Sequence, residues 1–209
     1  MNTRHTFDHV FSLEVAIAAA VFAVVTGTVL FAVVWSRIHR GKDASQKSSH
    51  PRAEILYALV ITGAAVFLVV LSLSANTAPA TPRPSLRVHV TGFQWCWQFS
   101  YEGTPVSVTG DCVHGAAPTL VLPANEPVQM DVTTNDVIHA LWVPYLRFKM
   151  DAVPDHVNTF TWTVPPAGNF AGRCAEYCGL YHPFMEFTLQ AMPRARFEAW
   201  LRAREVSPA

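Results

Sequence analysis

Two long apolar stretches near the N-terminus constrain this chain more than any other feature of its sequence. Residues 13–35 contain one charged side chain, Glu14, and residues 55–75 contain none. Each stretch is long enough to cross a hydrocarbon core of roughly 30 Å as an α-helix. A cleaved signal peptide is an alternative for the first stretch, but its apolar core would normally span only about 7–15 residues. We therefore predict two transmembrane helices, at about 13–36 and 54–75.

Basic side chains predict how these helices are oriented. The segment between them is rich in such residues: Arg37, Arg40, Lys42, Lys47 and Arg52. Only Arg4 precedes the first helix, and only Arg83 and Arg87 follow soon after the second. Because cytoplasmic loops carry an excess of Lys and Arg, this connector is predicted to be cytoplasmic. Both termini and the rest of the chain then lie on the extracytoplasmic side of the cell (plasma) membrane.

Alternating apolar and polar residues after the second helix predict short β-strands. In "FQWCWQFSY" one face is entirely aromatic: Phe93, Trp95, Trp97, Phe99 and Tyr101. The stretches "VNTFTWTV" and "FMEFTLQAM" repeat the alternation. Several such strands, separated by Gly, Pro and Asn, are typical of a small β-sandwich or barrel.

Composition and helix-breaking residues divide the chain into four segments. We predict a transmembrane helical hairpin at 1–75, a Pro-rich spacer at 76–85, a β-domain at 86–192, and a C-terminal helix with a tail at 193–209. The prolines of the spacer prevent the second helix from continuing. The β-domain contains nine acids against four bases, a formal net charge of about −5. This excess indicates either ordinary solubility or a field that attracts a basic partner.

The stretch "CAEYCGLYHPFMEF" concentrates candidate metal ligands. It contains two thiols, an imidazole and a thioether: Cys174, Cys178, His182 and Met185. A disulfide is one interpretation of the two cysteines, because an exported domain permits oxidation, although the short loop restricts disulfide geometry. A tetrahedral zinc site is a second interpretation, but zinc leaves Met185 without a role.

Copper accounts for more of these side chains. A mononuclear blue-copper site uses two histidines, one cysteine and a weak axial methionine, so this loop has one thiolate too many. Two cysteines that point into one pocket could instead bridge two copper ions, each completed by one imidazole and one weak ligand. His139, in "TTNDVIHALWVP", is the best candidate for the second imidazole, and a main-chain carbonyl between the cysteines for the second weak ligand. A site without an open position for substrate favours electron transfer.

These motifs together resemble subunit II of cytochrome c oxidase, in the haem–copper oxidase superfamily. The pattern Cys-x-Glu-x-Cys-Gly-x-x-His-x-x-Met, preceded by Asp-Val-Ile-His thirty-five residues before the first cysteine, is similar to its dinuclear copper-A domain. The resemblance implies an α+β membrane protein, with a two-helix hairpin, a cupredoxin-like β-sandwich and a short C-terminal helix. It implies that two copper ions are held by five side chains and one backbone carbonyl: those of His139, Cys174, Cys178, His182 and Met185, and that of Glu176.

The same resemblance implies roles for further residues. The Glu176 carboxylate would reach a magnesium ion shared with subunit I. Trp95 resembles the tryptophan that takes electrons from cytochrome c, with a core aromatic as the alternative. Asp136 resembles a carboxylate that docks the donor, with a solvated surface acid or turn residue as the alternative. Glu54 resembles the entrance of a proton pathway, although an acid favoured by the helix dipole explains it too.

The function implied is that of the electron-entry subunit of a haem–copper terminal oxidase. It would take electrons from a soluble or membrane-bound cytochrome c and pass them to haem on subunit I, where oxygen is reduced. Haem is expected on the partner only, because the chain has no Cys-x-x-Cys-His motif. The alternatives are the copper-A subunit of a related nitric oxide reductase, or a membrane-anchored copper-binding or assembly protein. No nucleic-acid partner is predicted.

Two cysteines are left over after the copper pair. Cys96 lies in the aromatic strand and Cys112 in the "TGDC" segment, and both belong to the exported domain. Because oxidation is permitted there, we predict a disulfide between them. The alternative is a pair of unpaired thiols.

Overall fold

The computed structural model describes residues 3–39, 49–76 and 83–206. The chain divides into two compact units, a helical unit within 6–78 and a β-domain that follows it. The predicted connector residues Arg40, Lys42 and Lys47 lie outside the described residues, as do positions 77–82 of the spacer and the last three residues of the tail.

The helical unit consists of most of α1 (Thr3–Ile38) and of α2 (Pro51–Asn76). Both are long and apolar enough to cross a membrane, by length and composition. Each begins before its predicted apolar span, at Thr3 instead of 13 and at Pro51 instead of 54. Hydropathy identifies only the apolar part of a helix, which can lie in the hydrocarbon core. The helical backbone hydrogen bonds continue into the polar residues on either side of that part. Proline suits the first turn of α2 because it lacks an N–H group that would have no helical partner.

The β-domain contains ten strands among its described residues, in chain order. They are β1 (Leu86–Phe93), β2 (Cys96–Tyr101), β3 (Ser107–Thr109), β4 (Thr119–Pro123), β5 (Pro127–Thr134), β6 (His139–Val143), β7 (Phe148–Ala152), β8 (Asn158–Thr163), β9 (Gly168–Cys174) and β10 (Glu186–Met192). One sheet has the order β3-β2-β1-β5-β8 and the other β4-β10-β9-β6-β7. The sheets form a sandwich, as the sequence predicts.

The core between the sheets is built from the alternating residues of the predicted strands. Trp97 and Phe99 of one sheet pack edge-on against Phe187 of the other, with ring centroids 5.9 and 5.5 Å apart. Gly172 pairs with Phe187 between β9 and β10. Glycine suits this position because a Cβ would come within 2.1 Å of the Phe187 ring. The predicted C-terminal helix is α3 (Arg194–Val206), which buries Phe197 against this core.

The prediction that "FQWCWQFSY" forms one continuous strand is wrong. Strand β1 ends at Phe93, β2 begins at Cys96, and these two residues pair with each other across an antiparallel hairpin. Gln94 and Trp95 form the turn between them. A turn of two residues reverses the phase of the alternation, because paired residues such as Phe93 and Cys96 face the same side of the sheet. Phe93 therefore lies on the opposite face from Trp97, Phe99 and Tyr101, which corrects the prediction that they share one face. Trp95 is therefore at the tip of a hairpin and only partly buried.

The predicted disulfide between Cys96 and Cys112 is present, which confirms that prediction. It joins the first residue of β2 to the segment that follows β3. The hairpin tip with Trp95 is thus held to a neighbouring loop by a covalent bond.

Candidate metal centre

The predicted ligands converge at one end of the sandwich. His139 is the first residue of β6 and Cys174 is the last residue of β9, and these strands are neighbours in one sheet. The loop after β9 returns Cys178 to the same place. All three side chains are buried, and their ligand atoms lie within 4.8 Å of one another. Such a cluster could hold a metal ion.

The two thiols lie at the centre of a larger set of donor atoms. Their Sγ atoms are 3.9 Å apart, so they do not form a disulfide, which was one interpretation of the sequence. Cys174 Sγ lies 3.8 Å from His139 Nδ1 and 3.2 Å from the carbonyl oxygen of Glu176. Cys178 Sγ lies 3.5 Å from His182 Nδ1 and 3.8 Å from Met185 Sδ. All six predicted donor atoms are therefore brought together.

Backbone hydrogen bonds and one glycine hold the loop in this shape. The N–H of Cys174 donates to the carbonyl of Met185 at 2.9 Å, which closes the base of the loop. Gly179 has φ +116°, a conformation that favours glycine. A Cβ there would also lie 3.1 Å from Trp95 Nε1. The "CG" of the motif thus lets the loop turn sharply against Trp95.

A carboxylate orients one of the two imidazoles. His139 Nε2 lies 2.8 Å from Asp136 Oδ1, and Asp136 Oδ2 accepts the backbone N–H of Gln94 at 2.6 Å. An ionised carboxylate only accepts hydrogen bonds, so His139 carries its proton on Nε2. Its Nδ1 then presents a lone pair towards Cys174, which is the tautomer that a metal ligand needs. The predicted docking role of Asp136 stays a prediction.

The charges of this cluster shift one another's pKa values. Burial opposes ionisation of Asp136, but the hydrogen bonds from His139 and from backbone N–H groups outweigh it and lower the Asp136 pKa. Burial also opposes charge on His139, but Cys174 and Asp136 together raise the His139 pKa. Burial, followed by the neighbouring Cys174 thiolate, raises the pKa of Cys178 to about 12. Without metal, one thiol of the pair therefore ionises far less readily than the other.

Trp95 and its neighbour Gln94 contact the metal-ligand loop directly. Trp95 Nε1 donates to the carbonyl oxygen of Cys178 at 3.0 Å, and Gln94 Nε2 donates to the same oxygen at 2.7 Å. The Trp95 ring also meets Tyr181 edge-on, with centroids 4.9 Å apart. Sequence reasoning missed Gln94, because alternation assigned it only to the polar side of a strand.

Comparison with known proteins decides the family. Residues 86–192 match the family described as cytochrome c oxidase subunit II, periplasmic domain. The chain belongs to this family. It is similar to a probable cytochrome c oxidase subunit 2 of Rickettsia bellii, 29% identical over 219 residues that cover 98% of this chain and 80% of the relative. A cytochrome c oxidase subunit 2 of Alkalihalophilus pseudofirmus is 30% identical over 203 residues, which cover 90% of this chain and 56% of the relative.

Solved structures of subunit II have the same fold. The periplasmic domain of subunit II of cytochrome oxidase (CoxB) from Bradyrhizobium japonicum has a TM-score of 0.55 and 27% identity, covering 62% of this chain and 100% of that one. Subunit II in a mixed disulfide intermediate with a thioredoxin-like protein has a TM-score of 0.53 and 28% identity, covering 61% of this chain and 97% of that one. The predicted cupredoxin-like fold is confirmed, and the two apolar helices are consistent with a membrane-anchored subunit.

Two residues that the subunit II resemblance singled out have partners of their own. The carboxylate of Glu176 forms an ion pair with Lys149, which also lies 3.1 Å from Asp151. Sequence reasoning missed Lys149, a lone base that nothing in its local pattern distinguishes. Glu54 lies in the first turn of α2, where its carboxylate accepts the backbone N–H of His50 at 2.9 Å. Their predicted roles, in magnesium binding and proton entry, stay predictions.

Proposed function

We propose that this chain is the electron-entry subunit of a haem–copper terminal oxidase. It would receive electrons from a c-type cytochrome and pass them to haem on a partner subunit, where oxygen is reduced. The observation that carries the proposal is the convergence of four donor atoms around the Sγ atoms of two buried thiols that are not bonded to each other.

The donor set fits two copper ions. Copper prefers thiolate, thioether and imidazole ligands, and all three kinds are present here. A tetrahedral zinc ion would use the two thiolates and two imidazoles, and would leave the Met185 thioether and the Glu176 carbonyl without a role. Two bound copper ions would supply a centre that accepts and releases single electrons. His139, Cys174, Cys178, His182 and Met185 would hold them by side chains, and Glu176 by its carbonyl oxygen.

The protein supplies rigidity and a route for the electron. Asp136 holds His139 in the required tautomer, and strand pairing between β6 and β9 fixes the positions of His139 and Cys174. The hydrogen bond from Trp95 Nε1 to the Cys178 carbonyl connects a partly exposed ring to the residue that carries a ligand thiol. From that carbonyl the route continues through the covalent bonds of Cys178 itself. We therefore assign electron entry to Trp95.

The remaining roles follow from the family and the membrane helices. We propose that both termini and the β-domain lie on the extracytoplasmic side of the plasma membrane. Glu176 would contribute to a magnesium site and Glu54 to a proton pathway, both shared with subunit I. Subunit I would supply the haem and the oxygen-reducing site.

Purification of the native membrane complex tests this function. We expect the chain to co-purify with haem and with a large polytopic partner, and the complex to consume oxygen when reduced cytochrome c is supplied. Recovery of the chain without haem, or consumption of nitric oxide without oxygen uptake, would contradict the proposal.

A further inference from the structure

Hydrogen bonds at the domain surface attach the turn that carries Trp95. The side chains of Gln94 and Trp95 both donate to the carbonyl oxygen of Cys178, and the backbone N–H of Gln94 donates to Asp136. Because Gln94 is exposed and Trp95 is only partly buried, water competes for these bonds, so each contributes little net stability. Segments that are held in this way open locally at a low free energy. The turn therefore needs a further constraint if the Trp95 ring is to keep one position.

The Cys96–Cys112 disulfide supplies such a constraint. Cys96 directly follows Trp95 and is 2% exposed, so its fixed position limits where the Trp95 ring can lie. At the other end of the bond, Cys112 Sγ lies 3.3 Å from the carbonyl oxygen of Glu186. Glu186 is the residue directly after the candidate ligand Met185. One covalent bond and one close contact thus connect the turn to the segment that carries this ligand.

The loop that contains Cys112 is shaped to bring this cysteine against the turn. It spans residues 110–118, between β3 and β4. A Cβ at Gly110 would come within 2.8 Å of Cys96 Sγ and 2.3 Å of the Pro118 ring, so glycine suits this position. A cleft of about 270 Å³ is lined by both the loop and the turn, so their surfaces are not packed against each other there. The disulfide therefore restrains the turn where side-chain packing does not.

We propose that the Cys96–Cys112 disulfide is a positioning element for electron entry, which holds the Trp95 ring against the ligand loop. Without this bond the turn would leave the Cys178 carbonyl for part of the time, and the electron would lose its route into the loop. The disulfide takes no part in metal binding, because the two candidate ligand thiols are free. This inference rests on the proposed function and makes the rate of electron entry depend on a covalent bond outside the metal centre.

The test compares the intact oxidase complex with its Cys112→Ser variant. We expect the variant to keep its copper, the spectrum of that copper, and the rate of flash-initiated transfer from copper to haem. Its bimolecular rate with reduced cytochrome c should fall roughly 10-fold to 100-fold, because a misplacement of about 1 Å can cost about 100-fold.

Val128→Ala is the matched control for loss of stability. Val128 is fully buried and pairs with Leu86, the first residue of β1, whereas the turn follows the last residue of that strand. The substitution removes buried methyl groups and so destabilises the domain at a distance from the turn. It is expected to leave the bimolecular rate with reduced cytochrome c unchanged.

A double variant shows whether the disulfide acts through Trp95. Trp95→Phe alone should slow electron entry, and adding Cys112→Ser should then have no further effect, because the ring that the disulfide positions is already absent. If the disulfide acted elsewhere in the domain, its loss would slow the Trp95→Phe complex by the same factor as it slows the wild type.

The paired replacement of Cys96→Ala with Cys112→Ala removes the bond without leaving an unpaired buried thiol, and should match Cys112→Ser. Four results would overturn the inference. They are a wild-type bimolecular rate in both disulfide variants, an equal loss of rate in Val128→Ala, an equal factor in the Trp95→Phe background, and loss of copper from both disulfide variants. The last result would show that the bond holds the metal-ligand loop itself.

Flash-initiated transfer from copper to haem in the unmodified complex separates this inference from the function. Its absence would contradict the proposed function itself, whereas its presence together with any of the four results would overturn only the role of the disulfide.

Discussion

Asp136 shows how a single contact changes the interpretation of a residue. The family resemblance implies that it is a docking carboxylate, whereas its hydrogen bonds make it a support for the imidazole of His139, a candidate metal ligand. Its Oδ1 accepts a hydrogen bond from His139 Nε2, and its Oδ2 accepts one from the backbone N–H of Gln94. An asparagine cannot accept at both positions, because one of its terminal atoms is an NH₂ group.

Asp136→Asn is therefore expected to weaken copper binding by about 10-fold to 100-fold, the usual cost of losing the partner of a ligand histidine. Copper titration of the isolated β-domain measures this, with Asp111→Asn as the control at an exposed carboxylate. Equal copper affinity in the Asp136 and Asp111 variants would show that Asp136 does not position His139.

The metal-free domain gives a second readout for Asp136. Because the pKa of Asp136 is lowered in the folded domain, the ionised carboxylate stabilises the fold at pH values above the ordinary aspartate pKa. This stabilisation is lost as the pH falls through the folded-state pKa of Asp136. Because the pKa of His139 is raised in the folded domain, the protonated imidazole stabilises the fold at pH values below the ordinary histidine pKa. This stabilisation is lost as the pH rises through the folded-state pKa of His139. The stability difference between wild type and Asp136→Asn should thus be largest between about pH 4 and about pH 6.5. Denaturant unfolding across this range checks it.

Trp95→Phe separates electron entry from structure. Phenylalanine keeps most of the volume, and Gln94 still donates to the Cys178 carbonyl, so copper should stay bound with an unchanged spectrum. Turnover with the electron donor should fall steeply, while flash-initiated transfer from copper to haem should keep its rate. Unchanged turnover at full copper occupancy would show that the electron enters elsewhere.

The candidate ligands could be listed from the sequence, whereas the residues that support them could not. Cys174, Cys178, His182 and Met185 share one short loop, so residue type and spacing alone restrict the chemistry. Gln94 and Lys149 act through contacts with residues that are 84 and 27 positions away. No local pattern encodes such contacts, because they exist only after distant parts of the chain have folded together.

The hairpin between β1 and β2 was predicted wrongly, as one continuous strand. Its turn is important because it places Trp95 against the loop of candidate ligands. Alternation places aromatic residues on one face but cannot locate a two-residue turn. Helix ends were misplaced for a related reason, since hydropathy detects burial in lipid and not the limits of backbone hydrogen bonding. The core faces of β2, β8 and β10 were predicted correctly, because burial on one side of a sheet imposes alternation directly.

The disulfide at the start of β2 is expected to stabilise the domain. Its cysteines are 16 residues apart, and closing such a loop contributes about 3 kcal/mol in the chain-entropy account. Cys112→Ser should therefore lower the free energy of unfolding of the β-domain by about this amount, measured in urea. A reductant should destabilise the wild type and leave Cys112→Ser unaffected. Equal unfolding free energies of wild type and variant would contradict this expectation.

The chain as a whole combines a membrane anchor with a β-domain that has its own core. If the basic connector is cytoplasmic, then proteases added to intact spheroplasts should cleave the C-terminal tail after α3. The connector lysines should react with membrane-impermeant amine reagents only after the cells are opened. Labelling of the connector in sealed cells would reverse the proposed orientation.

The number and arrangement of copper ions in the isolated β-domain test the central claim most directly. Metal analysis combined with electron paramagnetic resonance is the measurement. The account predicts two copper ions per chain and a hyperfine pattern in which one unpaired electron is shared by both nuclei. One copper ion per chain with the pattern of a single nucleus, or zinc at full occupancy, would contradict it.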